Sequence, residues 1–375
     1  MSNKKWRVPF IQPFVSEETK RKVLEILERG KETGTFTVGE ETQIFEENLA
    51  KFCNVRHAIT LHSGTEALFA ALVAAEIKPG DEVITTSLTF IATIEAIWQV
   101  KAKPILVDIH PEYYTIEPDL IKKAITNKTK AILPVHIYGQ AVDMDPIMEL
   151  ANDNNLFILE DTCQALGGRY KKETLGSIGD AAALSFHPQK NLTVCGDGGA
   201  LLTNRTDVAE TVEMIRDHGR LRDQGYDHQI LGYNFRLGEI RAGIANVALP
   251  HLGGWNVRRR EIAKQYINGI DSTHTICPKE APYSYHVYDY YEIQTQDRDG
   301  LRNELTKKGI KTDIQYPKAC HQQVVWEYLE GKSKLNLPIT DKLIPNILTL
   351  PSFPDLTDEQ VSYVIETMNN YYKSK

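Results

Sequence analysis

Four short segments put chemistry-bearing side chains where an apolar run gives way to a loop or helix. Lys190 closes Ser185-Phe-His-Pro-Gln-Lys190, and Pro188 keeps regular structure from reaching it, so its amine stands on a loop. Most lysines are solvated surface groups, but one at a ligand-binding end can condense with a carbonyl carbon. Glu160 and Asp161 end the run Phe157-Ile-Leu-Glu-Asp161. One carboxylate could face solvent and the other pair with a cationic ligand; equally, Asp161 could cap a helix beginning at Asp161-Thr-Cys-Gln164. His62-Ser-Gly-Thr65 leads from a strand into a helix. The first N–H groups of a helix lack carbonyl partners and suit a phosphate, and Gly64 permits close approach, although an ordinary strand-to-helix turn reads the same way. Gly196-Asp-Gly-Gly199 allows unusual backbone angles and close packing. A nucleotide loop is a poor reading of it, because no GxGxxG sits in a βαβ frame and no GxxxxGK[ST] occurs.

The elements that must position these groups alternate. A helix capped by Ser16 runs to about Gly30, followed by a Gly- and Thr-rich loop over 34–39. Strands are expected at 58–61, 82–86, 104–108, 131–135, 156–159 and 181–186, and helices at 65–75 and 92–99. A further helix is expected to open with Asp145 as cap and Pro146 in the first turn. Such alternation predicts an α/β fold, a mostly parallel sheet sandwiched by helices, with ligands beyond the carboxyl ends of the strands. Past Leu249-Pro250 the pattern changes. A tyrosine-rich strand over 283–294, a helix over 301–308 stopped by Gly309, and a strand over 311–316 follow. Thr357-Asp-Glu-Gln360 then forms a capping box before a final amphipathic helix. The expected division is a large domain over 1–250 and a smaller α+β domain over 251–375.

Composition excludes several classes. The 375 residues are 42% hydrophobic and 25% charged, as in a globular protein. The net charge of −7 argues against a nucleic-acid surface and against a polybasic membrane patch. The polar, basic segment 1–8 is no secretory signal, and no apolar run spans a bilayer. The five cysteines form no CxxC pair, so neither a metal site nor a disulfide framework is indicated, and a cytoplasmic location fits.

A helix start for a phosphate, a carboxylate for a ring nitrogen and an amine for an aldehyde are the three demands of pyridoxal 5′-phosphate (PLP). The joint order of several motifs is more specific. His62-Ser-Gly-Thr-Glu-Ala-Leu68, Ser87-Leu-Thr-Phe-Ile-Ala-Thr93 and Pro134-Val-His-Ile-Tyr-Gly-Gln140 come first. Glu160-Asp-Thr-Cys-Gln-Ala-Leu-Gly167, Ser185-Phe-His-Pro-Gln-Lys190, Gly196-Asp-Gly-Gly199 and Tyr233-Asn-Phe-Arg236 follow. With these, essentially the whole chain resembles the sugar aminotransferases named for DegT, DnrJ, EryC and StrS, of the aspartate aminotransferase fold type.

The resemblance implies roles. Lys190 would be the Schiff-base lysine and acid/base, and Asp161 the partner of the pyridine nitrogen. Gln164 would bond the ring hydroxyl and Phe90 would stack on the ring. The backbone at Gly64 and Thr65, with the Ser185 hydroxyl, would hold the phosphate. Asn234 would reach the phosphate of a neighbouring subunit, which implies a homodimer with shared sites. A branch of the family carries His in place of the lysine and dehydrates the sugar; Lys190 favours amino transfer, and His187 is left a supporting role. In the stretch Ile314-Gln-Tyr-Pro-Lys-Ala-Cys-His321, Tyr316, Pro317 and His321 fit the family, whereas Gln315 stands where His is common. Tyr316 and His321 would line a sugar pocket, or pack. His136 reads as a buried structural residue. Of Arg216, Arg220, Arg222, Arg236 and Arg241, most read as solvated or ion-paired, and Arg236 is the first candidate for substrate. The implied reaction moves an amino group from glutamate to a nucleotide-linked keto-deoxysugar, for amino-sugar, polysaccharide or glycan biosynthesis. Rival readings are a cyclitol ketone or aminohydroxybenzoate-type acceptor, and a non-catalytic regulatory protein.

Overall fold

The computed structural model describes residues 6–221, 225–331 and 335–374. Arg222, among the candidate arginines, lies outside them. A seven-stranded sheet dominates. Its strands are β1 (His57–Leu61), β2 (Glu82–Thr86), β3 (Lys103–Val107), β4 (Thr129–Ile132), β5 (Phe157–Asp161), β6 (Ala181–Ser185) and β7 (Gly199–Thr203). Their order is β1-β7-β6-β5-β4-β2-β3. All run parallel except β7, which lies antiparallel between β1 and β6. Every residue of β2 is buried, as a strand covered on both faces must be.

Helices α1 (Glu17–Thr33), α2 (Glu40–Cys53), α3 (Gly64–Ala74), α4 (Ile91–Gln99), α5 (Pro118–Ala124), α6 (Met144–Asn154), α7 (Thr206–Arg216), α8 (Glu239–Ala248) and α9 (Leu252–Gly269) surround that sheet or lead away from it. The run from Ala67 to Leu72 in α3 is buried without a break. An all-round apolar helix fits there because the sheet lies on one side and α4 and α7 on the other. The start of α2 is held from far along the chain. Buried Glu239 accepts from the N–H groups of Gly39 (2.9 Å), Glu41 (3.0 Å) and Thr42 (3.1 Å), and from the Thr42 hydroxyl. One carboxylate thus caps a helix whose Gly39 has no side chain to do so.

A second sheet comprises β8 (Thr275–Ile276), β9 (Tyr291–Thr295) and β10 (Ile347–Leu350), antiparallel throughout. With α10 (Arg298–Lys307) and α11 (Asp358–Lys373) it surrounds a separate apolar core that includes Tyr266, Tyr291, Leu301, Leu348 and Val364. Val8, from the opposite end of the chain, joins this core. The sequence position 250 falls in a tight turn, Leu249–His251, between α8 and α9.

Several sequence expectations shift. The first helix continues past Gly30 to Thr33 and stops at Gly34, whose φ of +72° suits glycine. The cap of α6 is Asp143, and Asp145 lies inside the first turn. The tyrosine-rich run 283–294 is not one strand. Tyr288 has φ +48°, and its N–H donates to His286 Nδ1 at 2.9 Å, so pairing resumes only at Tyr291. Residues 311–316 make a single bridge, Asp313 to Thr349, rather than a strand. β7 was not expected, because its glycine start masked an apolar strand.

Candidate active site

The carboxyl ends of β5 and β6 and the first turns of α3 and α4 meet around one cavity of about 520 Å³, a size that takes a small-molecule ligand. Tyr290, Asp313, Gln315 and Tyr316, all beyond position 250, line it as well.

At the α3 end, Ser63 caps the helix by accepting the Glu66 N–H at 3.2 Å. Gly64 and Thr65 line the cavity there with Ser185. A Cβ on Gly64 would stand 2.9 Å from Cys163 Sγ and 3.0 Å from Ser185 Cβ, so only glycine brings this backbone in. A Cβ on Gly199 would stand 2.3 Å from the Ser63 carbonyl carbon. The glycine run before β7 therefore serves packing against the start of α3.

The two carboxylates at the end of β5 separate cleanly, and neither faces solvent. Glu160 accepts from His136 Nε2 (2.9 Å) and from the N–H groups of Gly176 (2.9 Å), Ile178 (2.9 Å) and Gly179 (2.8 Å). Burial opposes its ionisation, but His136 and these amides outweigh that and hold the carboxyl below its ordinary range. His136 Nδ1 accepts the Val142 N–H at 3.1 Å, which places the ring proton on Nε2 and makes this histidine structural. Asp161 turns into the cavity instead. Its Oδ2 accepts from Thr93 Oγ1 at 2.8 Å and its Oδ1 from the Cys163 N–H at 3.2 Å. Thr89 and Thr93 share a further hydroxyl contact of 2.8 Å.

Lys190 lies in a turn whose N–H donates to the His187 carbonyl at 2.8 Å. Its Nζ stands 5.8 Å from the centre of the Tyr290 ring, and both residues line the cavity. His187 lines it too, and burial together with Lys190 holds its imidazole below the ordinary value. Burial, reinforced by Asp161, pushes the Cys163 thiol well above its ordinary range, so this cysteine is not a thiolate nucleophile. Phe90, largely exposed, presents its ring at the mouth of the site.

Gln164 reaches the cavity with most of its amide engaged. Oε1 accepts the Tyr138 N–H at 2.7 Å, and Nε2 donates to Tyr316 OH at 2.5 Å, leaving one amide hydrogen. Tyr316 lines the cavity wall and His321 does not. Its Nδ1 meets Ser87 Oγ at 2.6 Å and its Nε2 meets Asp341 Oδ1 at 3.0 Å, so the ring fastens its own segment to the end of β2. Asn234 and Arg236 also lie off the cavity wall. Asn234 is exposed, and Arg236 donates to Asp217 at 2.5 Å. Arg216 is tied to Glu46, Arg220 lies 3.5 Å from Asp217, and Arg241 packs beside Gly196. Sequence reasoning passed over Thr93 and Asp313, whose contacts depend on a fold that joins distant segments.

Behind the aromatic wall lies a further carboxyl. Glu292 is fully buried in β9, where its Oε1 accepts from Thr349 Oγ1 at 2.7 Å and its Oε2 has no partner. Burial pushes it from 4.5 up to about 8 against the Thr349 bond, with Asp313 adding to the rise. A folded-state value above the unfolded one means that stability is fully present below about pH 4.5 and is lost as pH rises toward 8. Glu292→Gln keeps an acceptor for Thr349 and removes the charge. Relative to wild type it should be neutral near pH 4 and stabilising by about 1–3 kcal/mol at pH 8–9. Thermal melts of both proteins at pH 4, 6 and 8 check this; an unchanging gap between them contradicts it.

Comparison with known proteins bears on the whole chain. A profile of the DegT/DnrJ/EryC1/StrS aminotransferase family matches residues 15–369. A protein named "Pleiotropic regulatory protein" from Geobacillus stearothermophilus is 39% identical over 360 residues, covering 95% of this chain and 96% of that protein. UDP-N-acetyl-3-dehydro-alpha-D-glucosamine 3-aminotransferase from Acidithiobacillus ferrooxidans is 39% identical over 331 residues, 88% of each chain. The crystal structure of DesV from Streptomyces venezuelae superposes with a TM-score of 0.90 at 36% identity, covering 98% of this chain and 99% of that one. Sequence motifs, fold and near-complete coverage thus agree that the chain belongs to the DegT/DnrJ/EryC1/StrS aminotransferase family, whose members depend on PLP.

Proposed function

We propose that this protein is a transaminase that moves the amino group of glutamate onto the ketone of a nucleotide-linked deoxysugar. The observation that carries the reading is the meeting of Lys190, Asp161 and the first turn of α3 in one cavity. Their chemistry fits PLP. The first-turn amides of α3 have no helical carbonyl to donate to, and Ser185 stands beside them. Among the described residues, the Asp161 carboxylate accepts two hydrogen bonds, which leaves lone pairs for a ring N–H. The Lys190 amine, which forms no ion pair among the described residues, is available to hold the aldehyde.

When bound, PLP supplies an aldehyde that takes up the amino group and a ring that stores the electron pair released at the substrate carbon. The chain's own groups do the rest. Asp161, oriented by Thr93, would hold a proton on the ring nitrogen, and Lys190 Nζ would hold the aldehyde and move the proton at the reacting carbon. Phe90 would stack on the ring, and Gln164 would offer its remaining amide hydrogen to the ring hydroxyl. Asn234, exposed and outside the cavity, serves the phosphate site of a second copy in a homodimer, while Arg236, which pairs with Asp217, remains the candidate for substrate. The chain then divides near residue 250, with the large part holding cofactor and the smaller part closing the substrate side.

The regulatory reading has two relatives' names in its favour, "Pleiotropic regulatory protein" and "Erythromycin biosynthesis sensory transduction protein EryC1". A single experiment separates the two readings. Adding glutamate to the purified PLP-bound protein should bleach its visible absorbance, and a keto sugar should restore it. An unchanged band on glutamate addition overturns the transaminase reading. Restoration by an inosose rather than by UDP-, GDP- or dTDP-linked keto sugars would move the acceptor to the cyclitols.

A further inference from the structure

Amino transfer puts a positive charge on Lys190 at one moment. When its Nζ takes the proton from carbon 2 of glutamate, the C–H bond breaks and the electron pair passes through the substrate to the bound cofactor. The proton turns the neutral amine into an ammonium. Lys190 is half-buried and forms no ion pair among the described residues. A charge that appears on a partly desolvated amine is costly unless a neighbour attracts it.

The ring of Tyr290 is placed to do so. Nζ stands over it, 5.8 Å from its centre, inside the range of about 6 Å at which the negative face of an aromatic ring attracts a cation. Both residues line the cavity. The ring is held from behind. Tyr290 is buried, its N–H donates to the Tyr138 carbonyl at 3.4 Å, and the two rings meet edge to face, 6.4 Å apart at 87°. Tyr138 is fixed in turn by its N–H bond to Gln164 and by stacking on Tyr316 at 6.0 Å. The Tyr290 hydroxyl forms no hydrogen bond among the described residues, so what it offers Lys190 is the ring. Resting on the amino-transfer reading above, we propose that Tyr290 is a positioning residue for Lys190, whose ring face holds the amine and stabilises the ammonium formed as the substrate proton is taken. Asp289, the preceding residue, also attracts the Lys190 charge, so the test must vary the ring alone.

The PLP-bound protein is mixed with saturating glutamate at one fixed pH, and the loss of its visible band is timed. Tyr290→Leu should slow this half-reaction by about 3–30-fold. Half-saturation by glutamate should stay within about threefold, because the contact favours the charged amine and not the bound substrate. The rate ratio between ordinary glutamate and glutamate deuterated at carbon 2 should rise. Tyr290→Phe, which keeps the ring, should restore at least about a third of the wild-type rate. The same phenylalanine carrying one, two and three ring fluorines should lose rate step by step, since each fluorine draws charge from the ring face with little change of shape.

A flat fluorine series overturns the proposal, because a packing role is blind to the charge on the ring. So does Tyr290→Phe as slow as Tyr290→Leu, which would transfer the role to the hydroxyl. Should the leucine variant fail to fold or to hold cofactor, the fluorine series, which retains the ring throughout, still decides. A wild type that does not react with glutamate overturns amino transfer itself and this role with it, whereas a reacting wild type with a flat series overturns the role alone.

Discussion

Lys190→Ala should abolish turnover, with a loss of at least about 10⁴-fold in kcat and no loss of fold. On the proposed roles two jobs vanish together: the amine that holds the cofactor aldehyde and the base that moves the proton at the substrate carbon. No neighbour can take them over. Among the described residues lining the cavity there is no second primary amine to hold the aldehyde, and burial and Asp161 push the Cys163 thiol well above its ordinary range. The fold should survive because the turn is made by the Lys190 main-chain N–H, which alanine retains. Stopped-flow absorbance with glutamate measures the chemistry, and a thermal melt within about 2 °C of wild type reports the fold. Turnover retained at even a tenth of wild type would refute the role of this amine.

Asp161→Asn should lower kcat by about 10²–10³-fold while leaving the protein folded. The change is nearly isosteric, and the amide oxygen can still accept from Thr93 or from the Cys163 N–H. What disappears is the negative charge that, on the proposed role, keeps a proton on the ring nitrogen. Without it the ring is a weaker electron store, and the step that removes the substrate proton slows. The effect should fall on the rate of the glutamate half-reaction rather than on saturation by glutamate. A rise in KM at unchanged kcat would instead assign Asp161 to substrate binding. Thr93→Val, which leaves the charge but frees its orientation, should act in the same direction and more weakly.

That Gly64, Asp161 and Lys190 meet in one cavity was legible in the sequence because each of these parts is local. A strand ending in Asp161, a loop carrying Lys190 and a helix beginning at Gly64 are all segments whose neighbours announce them. Knowing that the sheet is parallel then brings their ends together without further information. The acceptor side was not legible in the same way. His321 sits in a stretch that fits the family, yet its ring fastens to Ser87, 234 residues away, and no local pattern could say so. Gln315 stood out as a departure, but that it reaches the wall with an unmatched donor depends on the bridge from Asp313 to Thr349. The broken run at 283–294 failed for another reason: alternating aromatic residues signal a strand, while the left-handed Tyr288 that interrupts them leaves no mark in composition.

The position of β1 at the edge of the sheet also sets a timetable for the newborn chain. Its hydrogen-bonded neighbour is β7, and the cap of α2 comes from Glu239. Neither exists when residues 40–61 leave the ribosome. At the usual pace of bacterial or eukaryotic translation, about 5–20 residues per second, Glu239 trails Thr42 by roughly 10–40 s. For that interval the opening segment lacks both the neighbour strand and the helix cap that complete its structure.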